Sequence, residues 1–338
     1  MAPATPPTAT LQRLGQIKGT GDDRALFLKL GIAEVIGAME TNCVFRGKLK
    51  ERNIKGGKSA AFPIAGKMSA RYHTPGEPIL GQGNEPSDLN EVIINLDGLL
   101  IADTVVYELD ELMSYWPVRQ EYTKQLGLAL AYEWDRRAAR VIYAAAKSAT
   151  EPLALSKNQP RTGAGLTLSA GYAAATAQAK GDELVSKIFD ARVALEKKNV
   201  PINGMYGIFS PEEYFYISQS SRAINADFNG GGGSNGTIAE GRTMSVAGIP
   251  LFMSNHVTQA AYTNVTGDKN TAYQQDLSKC VGMIFSRDCA GVLTLKQPKL
   301  QLTSSDFNIQ YQGTLMLASM SIGMGPLRQE SAVVIEKP

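Results

Sequence analysis

FRGKLKERNIKGGKSAAFPIAGKMSAR, residues 45–71, can be read in two ways, and the choice decides the fold. The first reading starts from Gly57-Lys58-Ser59, which is how a phosphate-binding loop ends. That loop needs Gly, four residues, then Gly-Lys-Ser, so that successive backbone N–H groups curl around a phosphate between a buried strand and a helix. Here the position of the first glycine is Arg52, and the stretch before the tripeptide is densely charged. The stretch after it, AAFPIAG, contains Pro63 and Gly66, which oppose a helix. A nucleotide site is therefore not expected.

The second reading starts from charge. Arg46, Lys48, Lys50, Arg52, Lys55, Lys58, Lys67 and Arg71 stand against the single acid Glu51, a net of +7 over residues 46–71. From Glu77 to Glu111 there are nine acids, Glu85, Asp88 and Glu91 among them, and no Lys or Arg. Between these blocks lies YHTPGEPILGQGNEP, rich in the Pro and Gly that make turns. The pattern predicts a long hairpin with a basic outgoing arm and an acidic returning arm. Arms of about 25 residues at ~3.3 Å each reach up to about 80 Å if straight. A two-stranded hairpin builds no core of its own and needs a surface to lie on, so either its arms simply pair with each other or the arm projects and packs on neighbouring copies of the same protein. Opposite-sign patches on such an arm steer encounters and fix register. The basic residues named above, with Glu77, Glu85, Asp88 and Glu91, are the candidate contact residues.

Working outward, PVRQEYTKQLGLALAYEWDRRAARVIYAAAK (residues 117–147) is the strongest helical pattern in the chain. Pro117 suits a first helical turn, and Val118, Tyr122, Leu126, Ala129, Leu130, Ala138, Val141 and Ala145 recur at steps of three and four. Residues 148–181 read as an exposed loop or flap, followed by a helix from about Asp182, its cap, to Lys198. MYGIFSPEEYFYI reads as strand, turn and helix, with Ser210 as N-cap and Glu213 completing a capping box. VAGIPLFMSNHV, residues 246–257, reads as an edge or bulged strand because of Pro250. The C-terminal region supplies further strands. Strands and helices do not alternate as βαβ units would require, so the expected class is α+β.

Composition and motifs exclude several functions. At 338 residues the chain is long enough for two lobes and needs no disulfide or metal staple. A formal net charge of +2 is too small for a dedicated nucleic-acid binder. Cys43, Cys280 and Cys289 lack CxxC spacing and read as reduced thiols. Gly232-Gly233-Ser234-Asn235-Gly236 has the letters of a nucleophile elbow but sits in a glycine tract, and His73 and His256 form no triad or metal pair. No catalytic, cofactor or metal site is expected. The N-terminal stretch lacks an apolar signal core and no run approaches a membrane span, so the expected setting is cytoplasmic, with no membrane partner.

The order of these parts resembles tailed-phage major capsid proteins of the Hong Kong 97 type, in particular those of short-tailed phages related to coliphage T-seven. ALFLKLGIAEVIGAME (25–40), GGKSAAFPIAGKMSARYHTPGE (56–77), LDGLLIADTVVYELDELM (96–113), VRQEYTKQLGLALA (118–131) and ASMSIGMGPLRQESAVVI (318–335) carry the resemblance. A Gly-Leu-Arg-Pro motif is usual near the end of that family. This chain has Gly325-Pro326-Leu327-Arg328-Gln329 instead.

The resemblance implies an N-terminal arm over 1–45, an extended E-loop over 46–96, and a P-domain over 97–199 with its spine helix at 117–147 and the flap at about 148–181. It implies an A-domain over 200–285, with a glycine loop at 229–236, and closing P-domain strands over 286–338. The implied function is structural: self-assembly in hexamers and pentamers into the icosahedral head around double-stranded DNA, contacted non-specifically. Scaffolding protein and portal are implied as assembly partners, a cement or decoration protein as an optional addition, and a precursor shell assembled in the bacterial host as an intermediate that expands on packaging. An encapsulin-like compartment of the same fold is the alternative.

Overall fold

A 30-residue helix, α1 (Val118–Lys147), is the longest element of the computed structural model. The structure describes residues 34–39, 42–65, 70, 72–79, 89–107, 109, 113, 118–149, 162–220, 245–260, 270–303 and 311–338. At ~1.5 Å per residue α1 extends about 45 Å. Leu126, Leu130, Ala138, Val141 and Ala145 of the predicted stripe are buried, whereas Tyr122 and Ala129 face outward and Thr123 takes the inner position. Pro117 lies outside the described residues. The stripe holds only for the first half of the helix. From Trp134 onward almost every side chain is buried, including Asp135, Arg137 and Arg140, because this half is packed on all sides.

Two further helices are α2 (Ala177–Lys197) and α3 (Pro211–Gln219). Among the described residues the strands, in chain order, are β1 (Lys50–Asn53), β2 (Ser59–Ala65), β3 (Leu89–Asn95), β4 (Leu99–Tyr107), β5 (Ala164–Thr167), β6 (Met205–Phe209), β7 (Ser245–Val246), β8 (Ile249–Met253), β9 (Cys280–Ser286), β10 (Ala290–Leu302), β11 (Gly313–Pro326) and β12 (Ala332–Glu336). They form a four-stranded sheet in the order β1-β10-β11-β4, a six-stranded sheet in the order β5-β12-β9-β6-β8-β7, and the two-stranded pair β2-β3. Strand β6, helix α3 and the parallel strand β8 form one local strand–helix–strand unit, but antiparallel pairs with β9 and β7 share the same sheet, so the class is the expected α+β.

The contacts divide the chain into two units, one of residues 1–42, 99–132 and 296–320, the other of 43–98, 133–295 and 321–338. In the first, β4 and the adjoining parts of β10 and β11 provide the sheet. Lys296 Nζ donates to Ser319 Oγ at 2.9 Å, and Leu315 N–H of β11 donates to Thr303 Oγ1, just after β10, at 3.1 Å.

The second unit holds the six-stranded sheet. Strand β9 is buried at all seven positions, so it lies at the centre of the lobe rather than on a solvated face. Leu184, Ile188, Ala191 and Leu195 of α2 and Ile217 of α3 pack with Met205, Phe209, Ile249, Ile284, Val333 and Ile335 of the strands. The last strand, β12, is inserted between β5, to which it is parallel, and β9, to which it is antiparallel. Its end is tied by Glu336, which accepts from Tyr143 Oη at 2.6 Å and Lys147 Nζ at 2.5 Å.

Four local expectations are corrected. The flap expected over 148–181 is shorter, because Ala164–Thr167 joins the sheet as β5 and α2 already begins at Ala177. The α2 cap is Thr176, whose Oγ1 accepts from Ala179 N–H at 3.4 Å. Asp182 lies inside the helix and its Oδ1 accepts from Ser220 Oγ at 2.6 Å. Glu213 closes no capping box. It is buried and accepts from Tyr172 Oη and from Lys337 Nζ, the latter at 2.8 Å. VAGIPLFM is a tight hairpin rather than one bulged strand: Ala247 and Gly248 both have positive φ, and Val246 faces Ile249 across a two-residue turn.

Gly181, expected at the end of the flap, lies inside α2 and meets α3 there. A Cβ there would stand 2.1 Å from Tyr216 O, so only glycine lets α3 approach this closely. Gly181→Val should lower unfolding free energy by about 1–3 kcal/mol in urea titration, since backbone cannot yield as a side chain can.

Candidate assembly interface

The expected hairpin exists in its central part. Strand β2 is antiparallel to β3 from Ser59↔Asn95 to Ala65↔Leu89. These two strands are mostly apolar or neutral, SAAFPIA and LNEVIIN, with Glu91 their only charge. Phe62 and Ile94 are buried with Leu293 and Leu327, and Ile54, Ala60, Val92 and Leu96 pack against them. The hairpin therefore lies partly on its own subunit. Of the two alternatives posed by its sequence, the pairing of the arms is seen, and one face of the pair is also covered by the same subunit.

The charged residues fall into different groups. Gly57 and Lys58 lead from the β1 side directly into strand β2, so Gly57-Lys58-Ser59 precedes no helix. Strand β1 pairs in parallel with the start of β10, Lys50 opposite Gly291 and Asn53 opposite Thr294. Lys50 Nζ lies 3.7 Å from Asp288 Oδ1. Arg52 Nη1 donates to Ala61 O at 2.5 Å, and its guanidinium stands over the Phe62 ring at 5.8 Å. Lys48 Nζ donates to Val44 O and lies 3.9 Å above the Phe252 ring; burial lowers its pKa. Arg46 is half-buried. Lys55, Lys58, Glu77 and Glu91 are exposed. Lys67, Arg71, Glu85 and Asp88 lie outside the described residues, as do most of the N-terminal arm and the glycine loop at 229–236. Pro63, not a basic residue, faces Glu91 across the ladder. Four basic residues are thus held by, or folded into, their own subunit, while Lys55 and Lys58 project.

The base of the hairpin rests on a buried polar network that charge patterning did not reveal. Arg140 is 1% exposed; its Nη1 donates to Tyr273 O at 3.0 Å and Gln275 O at 2.8 Å, its Nη2 to Ala260 O at 3.1 Å and Gln259 Oε1 at 3.3 Å. Tyr273 Oη donates to Asp97 Oδ2 at 2.6 Å and accepts from Met324 N–H at 3.0 Å. Burial, then the Asp97 charge, holds the Tyr273 phenol well above its usual range, so it remains the donor. Asp97 N–H donates to Ile322 O at 3.1 Å, and Leu96 N–H to Lys58 O at 2.8 Å. Gly323 sits beneath Asn95; a Cβ there would be 2.2 Å from Asn95 O. The chain leaving the hairpin is thereby fixed to β11.

A second buried group fixes the chain entering it. Asp135 of α1, 1% exposed, accepts from Val44 N–H at 2.7 Å and Phe45 N–H at 3.3 Å. Burial raises its pKa to about 6 against the lowering effect of those two bonds. The neighbouring Cys43 thiol is pushed up to about 12, first by burial and then by the Asp135 charge. Cys280 and Cys289 are buried, with pKa values also raised by burial, which leaves the thiols protonated and unreactive. His256 is lowered by burial and the Arg136 charge, which keeps it neutral. Among the described residues no group of three or more His, Cys, Asp and Glu side chains could hold a metal, and no helix is long and apolar enough to cross a membrane.

A hairpin with charged flanks, a long helix and an α/β lobe together make up the architecture of the Hong Kong 97-type capsid proteins. The capsid structure of the cyanophage P-SCSP1u matches with a TM-score of 0.76 and 32% identity over 88% of each chain. The major capsid protein of Escherichia phage T7 is 28% identical over 95% of this chain and 96% of its own length, and that of Enterobacteria phage T3 is 27% identical over 97% of each. The model of the Gp10A-like major capsid proteins matches residues 61–336, and the chain belongs to that family. It is a structural protein of the phage head, located in the virion's capsid shell, and not an enzyme.

Two outcomes follow. Tyr273→Phe leaves Met324 N–H and the half-buried Asp97 carboxylate without their phenol partner, and should cost about 1–3 kcal/mol of subunit stability in urea unfolding. The folded Asp135 pKa of about 6 lies above the ordinary value of 3.8, so its contribution is fully present below about 3.8 and is lost as pH rises through 6. Subunit stability measured from pH 4 to 7 should contain a falling component that Asp135→Asn removes.

Proposed function

We propose that the subunit joins its neighbours through the hairpin, in hexamers and pentamers, and that the shell first forms as a compact precursor around scaffolding protein and a portal. The precursor expands as double-stranded DNA enters, and the inner surface meets that DNA without reading its sequence. In this scheme 1–45 is the N-terminal arm, 46–96 the E-loop, 97–199 and 286–338 the P-domain, and 200–285 the A-domain. A cement or decoration protein is an optional addition on the outside.

The observation that supports this reading best is the division of the hairpin's charges. Its base is bound to its own subunit through Lys48, Lys50 and Arg52, while Lys55 and Lys58 project beyond it. Exposed acids, Glu77 and Glu91, supply matching charge on other copies. Each such pair contributes little alone, typically well under ~1 kcal/mol at a surface, and the repetition around every subunit supplies stability.

Negative-stain microscopy of the purified full chain should show uniform closed shells, whereas persistent monomers would oppose the proposal. Lys55→Glu with Lys58→Glu should keep the circular dichroism spectrum and folded stability while raising the concentration needed for assembly, an effect that added salt diminishes. Unchanged assembly by this double variant would remove charge complementarity from the account.

A further inference from the structure

The hairpin has two edges, and they are not equivalent. Leu96 N–H donates to Lys58 O, so in this register Lys58–Leu96, Ala60–Ile94 and Phe62–Val92 are the bonded pairs of the ladder. The backbone groups of Ala61 and Pro63 on β2, and of Ile93 and Asn95 on β3, consequently point away from the partner strand. On the β2 side this edge is blocked. Ala61 O is taken by Arg52 Nη1 at 2.5 Å, and Pro63 has no N–H to offer. On the β3 side no second ladder forms among the described residues: β11 abuts only the end of the strand, through Gly323 at Asn95 and Ile322 at Asp97, and leaves the edge at Ile93 unpaired.

That open side faces a groove of about 790 Å³, walled by the run from Val92 to Asp97 and, opposite, by Leu295, Ser321, Gly325 and Gln329. Ile93, 58% exposed, and Leu295, 38% exposed, give it apolar surface. Gln329 is only 7% exposed, and its Oε1 is a buried acceptor with no hydrogen-bond partner. A buried amide oxygen left in this state costs about 1–3 kcal/mol.

An open strand edge, apolar surface beside it and an unsatisfied acceptor across from it define a seat for one extended strand. Such a strand would bond to Ile93 N–H and C=O on one side and present a donor to Gln329 Oε1 on the other. We propose that the occupant is an extended segment of a second copy of this chain, added to the outer edge of β3. A second copy is the partner that a shell-building protein brings to every subunit, and the inference rests on that reading. One blocked and one open edge also let the added strand join on one side only, so the hairpin takes one partner strand instead of growing into a fibre.

The experiment uses purified full-length chain. Wild-type protein is first shown to form shells; if it does not, the capsid reading itself fails. In wild-type shells the Ile93 amide should exchange about tenfold or more slowly than in the free subunit, and equal rates would overturn the proposal. A photo-crosslinking residue at position 93 should yield products of dimer mass within shells; crosslinks confined to a single chain would mean that its own segment fills the groove, and would overturn it. Ile93→Pro removes an N–H that the β2 ladder does not use, and Gln329→Met removes the acceptor at similar volume. Each should stay folded by circular dichroism and need at least about tenfold more protein to assemble. Assembly of both at the wild-type concentration would sink the proposal. Should Ile93→Pro not fold, the exchange and crosslinking results decide alone.

Discussion

A guanidinium cannot be left in a protein interior without hydrogen-bond partners, and much of the second unit is arranged around satisfying one. Arg140 is buried on the half of α1 that is packed on all sides, and its named partners are three carbonyl oxygens and one amide oxygen from residues 259–275. Removing such partners from a buried charge costs several kcal/mol, about 3–5 in comparable cases. That cost holds the 270–277 segment against α1. It also fixes Tyr273, whose hydroxyl bridges Asp97 to Met324 N–H. The hairpin's exit strand and the closing strand β11 are therefore positioned by a side chain far away in sequence. Asp135, one turn earlier on the same helix, does the same for the entry at Val44 and Phe45. A spine in this fold is thus more than a spacer: its buried charges set where the projecting arm begins and ends.

This division of labour changes how the hairpin's charge is understood. Eight basic residues in a run suggest one electropositive arm, yet their surroundings separate them. Lys48 is half-buried over an aromatic ring, where desolvation already disfavours its charge. Arg52 spends its guanidinium on Ala61 O, so it blocks a strand edge as much as it carries charge. Where the chain turns, at Lys55 and Lys58, the charge is exposed. Local attraction and low net charge are compatible for the same reason. A subunit present in many copies repels itself if it carries a large single-sign charge, whereas a net of +2 with separated patches allows attraction without that penalty.

The elements with a strong period were legible from sequence. The α1 helix, the α+β class and the presence of a β2–β3 hairpin follow from apolar spacing and turn residues, which are local properties. Ordered resemblance over several stretches then pointed to the capsid architecture. What escaped was non-local. Asp135, Arg137 and Arg140 read as the polar face of an amphipathic helix, although the surrounding AARVIYAAA, small and apolar on every side, was the available signal that this half is buried all round. Gly181 read as part of the flap, since glycine lowers helix propensity; the approach of Tyr216 O that requires it inside α2 is a tertiary fact. Ser210 and Glu213 have capping-box spacing, but Tyr172 and Lys337 provide Glu213 with stronger partners than the N-cap N–H. Gln329 carried no signal at all, since only packing shows its oxygen to be buried without a donor.

The contacts available to a neighbour are individually weak, and a closed shell needs that. Two projecting lysines, one free strand edge and one unpaired amide oxygen could each contribute only about 1 kcal/mol or so. Strong single contacts would trap misplaced subunits, because a wrong arrangement would dissociate too slowly to be corrected. Weak contacts made at several places by one subunit become firm only when all of them are satisfied together, as the effective concentration of the last contact is raised by the earlier ones. That cooperation requires each contact to be held in fixed relation to the rest. The buried network of Arg140, Tyr273 and Asp97 supplies this rigidity at the hairpin base, so the interior investment in a buried charge and the weakness of the surface contacts belong to one physical solution.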